Sequence, residues 1–228
     1  SPIRVETMSG ESKAPSMTMK EFVKGLQKPK ILALCGSQRT GSFNKMLLAC
    51  AVECIKSSGE AECEVIDLAE LKLPLYNPDD EAASFPEAAK SLKAKLVACH
   101  GIIITCPEYN GLLSPLLLNS ITWATRGEGG MYDGFKGKCA TVMATSPGKM
   151  GGLRMLRSLQ EMLMDMGAVI IPAHSAFGGA FQLFNEEGKL IDKRAQGKVK
   201  TACAQLVHHA RFEANREHDC MIVKAIKQ

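Results

Sequence analysis

The amino-acid sequence predicts an α/β fold: one domain built on a doubly wound, five-stranded parallel sheet with helices on both faces. Two observations predict it. Short apolar runs alternate with longer amphipathic ones along most of the chain, giving five strand-like segments separated by four helical ones and closed by a fifth helix. The segments after the first, third and fourth strands are rich in Gly, Ser and Asn, as ligand-binding crevices at the carboxyl ends of parallel strands are.

The elements follow in order. Residues 30–36 (KILALCG) are a short apolar run ending in Gly, and predict a buried strand. Residues 42–59 place Met46, Leu47, Cys50 and Cys54 at helical spacing, with Gly59 as the stop. Residues 61–68 (AECEVIDL) alternate like a strand, and 71–86 (LKLPLYNPDDEAASFP), rich in Pro and Asp, read as a loop. A helix is expected over 87–100 and a strongly apolar strand over 101–107 (GIIITCP). The helix over 112–126 tolerates Pro115 near its first turn, where a missing N–H does no harm. A Gly-rich loop (126–137), a strand (138–146), a helix (151–167) and a last strand (168–172) follow. Residues 176–192 read as irregular, and 193–212 as the closing helix. On the helix over 151–167, Leu153, Leu156, Leu159, Met162, Leu163 and Met166 share one broad face, with Met155 and Met164 off it. That predicts apolar surface left exposed on a monomer, and hence an oligomer.

Size and composition narrow the function. The 228 residues suit one core, flanked by a polar tail over 1–28, extended or disordered, and a polar extension over 213–228 around a domain at 29–212. Three Tyr, one Trp and eight Phe are too few aromatics to favour a base-stacking nucleic-acid binder, and the net charge of +4 is mild. No run approaches the ~18 apolar residues of a membrane span. Nine cysteines without a C-x-x-C pair are an odd count. Cys35, Cys99, Cys106 and Cys139 lie in apolar runs where Cys packs as a small hydrophobe, so free thiols in a reducing, cytoplasmic setting are expected. An organelle-targeting remnant in the tail is opposed by Glu6, Glu11 and Glu21, since such segments avoid acids. His208, His209 and His218 with Cys220 match no standard metal spacing, so no metal is expected, and His100 reads as a packing or capping residue.

Gly36-Ser37-Gln38-Arg39-Thr40-Gly41-Ser42-Phe43-Asn44 joins the first strand to the first helix. Free N–H groups and the helix dipole attract anions there, and Arg39 adds a fixed charge. A helix N-cap accounts for Ser42 alone; the clustering of Ser37, Arg39 and Asn44 points further, to an anion-binding loop. Ser42 stands where a P-loop has Lys, and Ser37-Gln38-Arg39 lack the second Gly of a dinucleotide fingerprint, although Asp67 could imitate its ribose acid. A terminal phosphate monoester such as that of FMN suits hydroxyls and Arg better. Pro107-Glu108-Tyr109-Asn110-Gly111 is, alone, only a turn; at the end of the most hydrophobic strand it can line a flat apolar slot for an isoalloxazine ring. Ser146-Pro147-Gly148 repeats the logic after the fourth strand. Arg126, Lys149 and Arg154 are candidates to pair a 2′-phosphate.

In this order and at these distances, GSQRTGSFNKML, PEYNGLLSPLLLNSITW and SPGKMGGLR resemble the NADPH-dependent FMN reductase family, most of all its bacterial chromate and quinone reductases. The resemblance runs from about Lys30 to about Phe212. It implies a flavodoxin-like fold, FMN bound at the subunit edge of a homodimer or homotetramer, NADPH or NADH as co-substrate and a small-molecule electron acceptor. Carried over, Ser37, Arg39, Ser42 and Asn44, with Phe43 in the same stretch, hold the FMN phosphate. Pro107, Glu108, Tyr109, Asn110 and Gly111 embrace the ring, largely through backbone, and Ser146 and Gly148 lie near the ribityl chain and the ring. The flavin then takes a hydride and passes two electrons on in a ping-pong manner, so no catalytic side chain is expected. Leu118 and Thr122 stand where relatives usually have Lys and Asp, a change expected at a subunit interface. A flavodoxin-type electron carrier and a non-enzymatic dinucleotide-sensing module are the alternatives; the positive charge speaks against the carrier.

Overall fold

A computed structural model describes residues 27–216. The tail expected over 1–28 lies outside them except for its last two residues, as do His218, Cys220 and the extension from 217 on.

Among the described residues six strands and seven helices follow in order: β1 (Lys30–Cys35), α1 (Phe43–Ser58), β2 (Glu62–Ile66), α2 (Pro78–Ala83), α3 (Glu87–Ala98), β3 (Gly101–Thr105), α4 (Pro115–Ala124), β4 (Cys139–Thr145), α5 (Leu153–Asp165), β5 (Val169–Ile170), β6 (Ser175–Phe177), α6 (Ala180–Leu183) and α7 (Lys193–Ala214). The pairings of these strands are parallel, in the order β2-β1-β3-β4-β5, with β6 also on β4. This is the doubly wound order, and it reverses between β1 and β3, where ligands sit.

The two central strands β3 and β4 are buried along their whole length, which is why their sequences are unbroken apolar runs rather than alternations. Ile31, Ala33, Ile103 and Met143 face α1 and α7; Leu32, Leu34, Ile102, Ile104 and Val142 face α3, α4 and α5. α1 begins where Ser42 accepts the Lys45 N–H and stops at Gly59, whose φ of 68° only Gly adopts freely.

The structure departs from expectation in five places. The fifth strand is one lane in two pieces: Pro172 brings no N–H to the ladder, and the Thr141 hydroxyl bonds the Ala173 carbonyl where the ladder is broken. The segment 71–86 contains α2, started by Asn77 with Pro78 behind it. The stretch over 176–192 contains α6 and a bridge between Phe184 and Leu190. Met155 is fully buried on α5, leaving Met164 as the exposed one of the pair. The closing helix runs to Ala214, and Asn215 at its end is buried, accepting the Gln27 N–H at 2.8 Å. Among the described residues eight cysteines are free, no helix is long and apolar enough to cross a membrane, and no three His, Cys, Asp or Glu side chains group as metal ligands. His100 accepts the Lys30 N–H at Nδ1.

Candidate functional site

Three loops meet at the carboxyl ends of β1, β3 and β4, and hydrogen bonds tie them together. Gly36 donates to the Thr105 carbonyl at 2.8 Å, and its own carbonyl accepts the Ser114 hydroxyl at 2.5 Å. A Cβ at Gly36 would lie 2.7 Å from the Cys106 sulfur, so only Gly permits this approach. Asn44 joins the first loop to β4: its amide donates to the Thr145 carbonyl and accepts the Thr145 N–H, each at 3.0 Å, while its own carbonyl accepts the Thr105 hydroxyl. The side chain expected on a phosphate is thus committed to bracing the loop.

The first loop leaves donors open. The N–H groups of Gln38, Thr40, Gly41, Ser42, Phe43 and Asn44 have no acceptor among the described residues. Ser37 is buried, with its hydroxyl accepting the Arg39 N–H. Ser42 is a helix cap, as the simplest reading had it. Arg39 is exposed, bonds the Gly41 carbonyl and lies 5.8 Å from the centre of the Phe43 ring. Phe43 packs on Phe181 and Phe184, two aromatics that sequence spacing did not connect to the loop. Asp67 pairs with Lys45 and so is not free for a ribose.

After β3 the chain makes a two-residue hairpin. Tyr109 and Leu112 exchange both backbone bonds, and Asn110 and Gly111 between them have φ of 54° and 82°. Positive φ at both positions is what an Asn-Gly pair supplies. Tyr109 is 49% exposed at the mouth. Glu108 turns to the third loop: its carboxylate accepts the Arg154 and Met155 N–H groups at 3.1 and 3.4 Å, and Arg154 Nε at 2.7 Å. It therefore caps α5, whose N-cap Gly152 has no side chain to do so, and an anion is favoured at that helix end. Arg154, one of the three cations considered for a 2′-phosphate, is spent on this pair; Lys149 is exposed on the turn after β4, and Arg126 lies elsewhere, beside Lys93.

The third loop packs backbone on backbone. The Gly148 carbonyl accepts the N–H groups of Gly151 and Gly179, and the Ser146 hydroxyl bonds the Gly148 carbonyl. Burial pushes the Cys106 thiol up to about 11 and raises Cys35 as well, which favours the protonated thiol at both. The arrangement offers a polar, donor-rich loop beside two backbone turns at the carboxyl ends of β3 and β4.

Residues 29–182 match the NADPH-dependent FMN reductase family. An NAD(P)H-dependent FMN reductase of Pseudomonas aeruginosa is 30% identical over 75% of this chain and 89% of its own length. A quinone reductase of Escherichia coli is 28% identical over 82% of this chain and 96% of its own. Among solved structures, the flavoenzyme NAD(P)H:(acceptor) oxidoreductase FerB of Paracoccus denitrificans superposes with a TM-score of 0.67 at 26% identity, covering 79% of this chain and 98% of that one.

Proposed function

The chain belongs to the NADPH-dependent FMN reductase family, and from that premise we propose that it is an oxidoreductase that uses bound FMN to carry electrons from NAD(P)H to a small acceptor of the quinone type. The observation that carries the reading is the loop after β1, where six N–H groups without an acceptor among the described residues gather at the start of α1 beside the Arg39 guanidinium. A phosphate monoester fits that loop because it accepts several hydrogen bonds at once and needs a positive neighbour.

When bound, FMN supplies the hydride acceptance and the two-electron transfer. This chain's residues do the rest. Arg39, the Ser37 hydroxyl and the open N–H groups hold the phosphate, while Ser42 and Asn44 act through backbone N–H and by fixing the loop. Pro107, Glu108, Tyr109, Asn110 and Gly111 form one wall of the ring slot. Glu108 sets the distance to the other wall, at Ser146 and Gly148, through its bonds to α5. Tyr109, Leu112, Leu118 and Leu75 are exposed apolar groups of the loops after β2 and β3 and of α4. A second copy of the chain is the partner that would shield them, and with them the flavin, from water.

Purified protein released by heat should yield FMN on chromatography, and should oxidise NADPH only when a quinone is supplied, with parallel double-reciprocal lines. FAD alone or no flavin defeats the cofactor assignment; intersecting lines defeat the ping-pong order. Light scattering at low micromolar concentration tests the assembly, and a fully active monomer removes it.

A further inference from the structure

A cavity of about 860 Å3 lies between α3 and the Gly-rich segment after α4, outside the three loops of the flavin site. Phe85, Ala94 and Val97 give it an apolar wall; Lys90, Lys93 and Arg126 give it three cations. Lys93 is only 7% exposed, and its ammonium has one acceptor, the Arg126 carbonyl, at 2.9 Å. Arg126 Nε is buried with no hydrogen-bond partner, and the guanidinium lies 5.1 Å from the centre of the Tyr76 ring. Neither Lys93 nor Arg126 forms an ion pair among the described residues, while Lys90 pairs loosely with Glu87.

Carboxylates do line the cavity, but they are otherwise engaged. Glu81 accepts the Tyr76 hydroxyl at 2.8 Å and the Gly127 N–H at 3.4 Å, and Asp133 accepts the Gly130 N–H at 2.7 Å. Glu128 is exposed to solvent. A buried cation without a counter-charge is unfavourable, and a charged donor without an acceptor adds to the cost. The walls are also set in advance. Gly127 has φ of 74°, and a Cβ there would meet the Phe85 ring at 2.9 Å. Trp123, fully buried, packs on Tyr76 and Phe85 with centroids 5.1 and 5.5 Å away.

We propose that this cavity is a second binding site, for a small ligand with an apolar body whose oxyanion group, phosphate or carboxylate, sits between Lys93 and Arg126. The inference does not depend on the flavin reading. It uses cations that no part of the flavin site engages, and it is read on protein carrying its flavin, so that the first loop is filled.

Trp123 is the only tryptophan of the chain and reports on the cavity. Its emission is followed while inorganic phosphate, or separately benzoate, is added at constant ionic strength balanced with chloride. A saturable change is expected with at least one probe, tenfold or more weaker in Arg126→Gln and Lys93→Met. Saturation by phosphate assigns a phosphate-bearing ligand, and saturation by benzoate a carboxylate. Lys90→Gln, at the exposed rim, serves if the buried variants do not fold, with two- to threefold weakening expected. No saturable change with either probe, or equal affinity in every folded variant, overturns the proposal.

Discussion

The loop after β1 and the turns after β3 and β4 stand side by side at one end of the sheet and are held differently. In the first, six N–H groups without an acceptor among the described residues lie at the start of α1 beside the Arg39 cation. The others are cross-braced, through the Tyr109–Leu112 pair, the Gly148 carbonyl and the Glu108 carboxylate on the start of α5. Free N–H groups at a helix start with a cation beside them favour an anion, whereas a carboxylate bonded to a helix start ties two loops together. On the proposed reading the difference is a division of labour: the first loop takes the anion, and the braced turns hold their relative position.

The braced side breaks hardest at Gly151. Its φ is 62°, and a Cβ would lie 2.5 Å from the Phe177 carbonyl carbon, which is backbone and cannot rotate away. Gly151→Ala combines left-handed strain with overpacking and is expected to lose about 3 kcal/mol of stability. Thermal melting checks this, and flavin content should fall with it. A variant with unchanged melting would show that the turn after β4 yields.

The next pair sharpens the contrast. Arg39→Ala should weaken FMN binding by roughly 1.5–3 kcal/mol, because Arg39 is exposed and its one protein bond is to Gly41, so stability should barely move. Glu108→Gln should do the reverse, losing about 1–2 kcal/mol of stability as α5 loses its charged cap. Much of the Arg154 pair itself is discounted, since Arg154 is largely exposed. Flavin titration and denaturant unfolding of both variants decide it; equal effects on both quantities would erase the division.

Ser42 straddles the two behaviours. Its Oγ accepts the Lys45 N–H, which leaves its own hydrogen free to donate. Ser42→Ala should lose ~1 kcal/mol of stability as a cap. If the hydroxyl also meets the phosphate, FMN affinity of the folded variant drops as well; unchanged affinity would make it a cap alone.

Much of this was legible in the sequence, for identifiable reasons. Central strands announce themselves because burial on both faces demands unbroken apolar runs such as IIIT before Cys106. α1 was readable at both ends from Ser42 and Gly59, whose chemistry is local. Long-range bonds left no trace in spacing. Nothing near Glu108 in the chain signals a helix end 46 positions later, and Asn44 looks like a ligand until its amide is found on Thr145. α2 hid in a stretch whose Pro and Asp density reads as loop, although Asn77-Pro78 is also a helix start. Met155 could be assigned to the core only once α5 was seated on β4.

The smallest expected effect tests how the open loop's helix is tethered. Lys45, whose N–H Ser42 caps, reaches Asp67 at the end of β2 with 2.8 Å between nitrogen and oxygen. The Lys45 hydrogen bond holds the Asp67 carboxyl below its ordinary range, with the Ala69 N–H adding to it and partial burial opposing; the same bond raises Lys45. A lowered carboxylate contributes stability that is complete above its unfolded pKa of roughly 3.9, and that is lost as pH falls through the lower folded value. The raised Lys45 contribution is complete below its unfolded value of about 10.4 and lost as pH climbs through the higher folded one. With side chains 37% and 41% exposed, water screens the pair, and its worth stays under about 1 kcal/mol. Asp67→Asn keeps an acceptor for Ala69 and removes the charge. Its unfolding midpoint should therefore sit slightly below that of the parent from pH 5 to 9, and the two should converge as pH drops below the ordinary Asp range. Parallel pH profiles would mean that the tether contributes nothing and that Asn44 and the Ser42 cap alone hold the start of α1 in place.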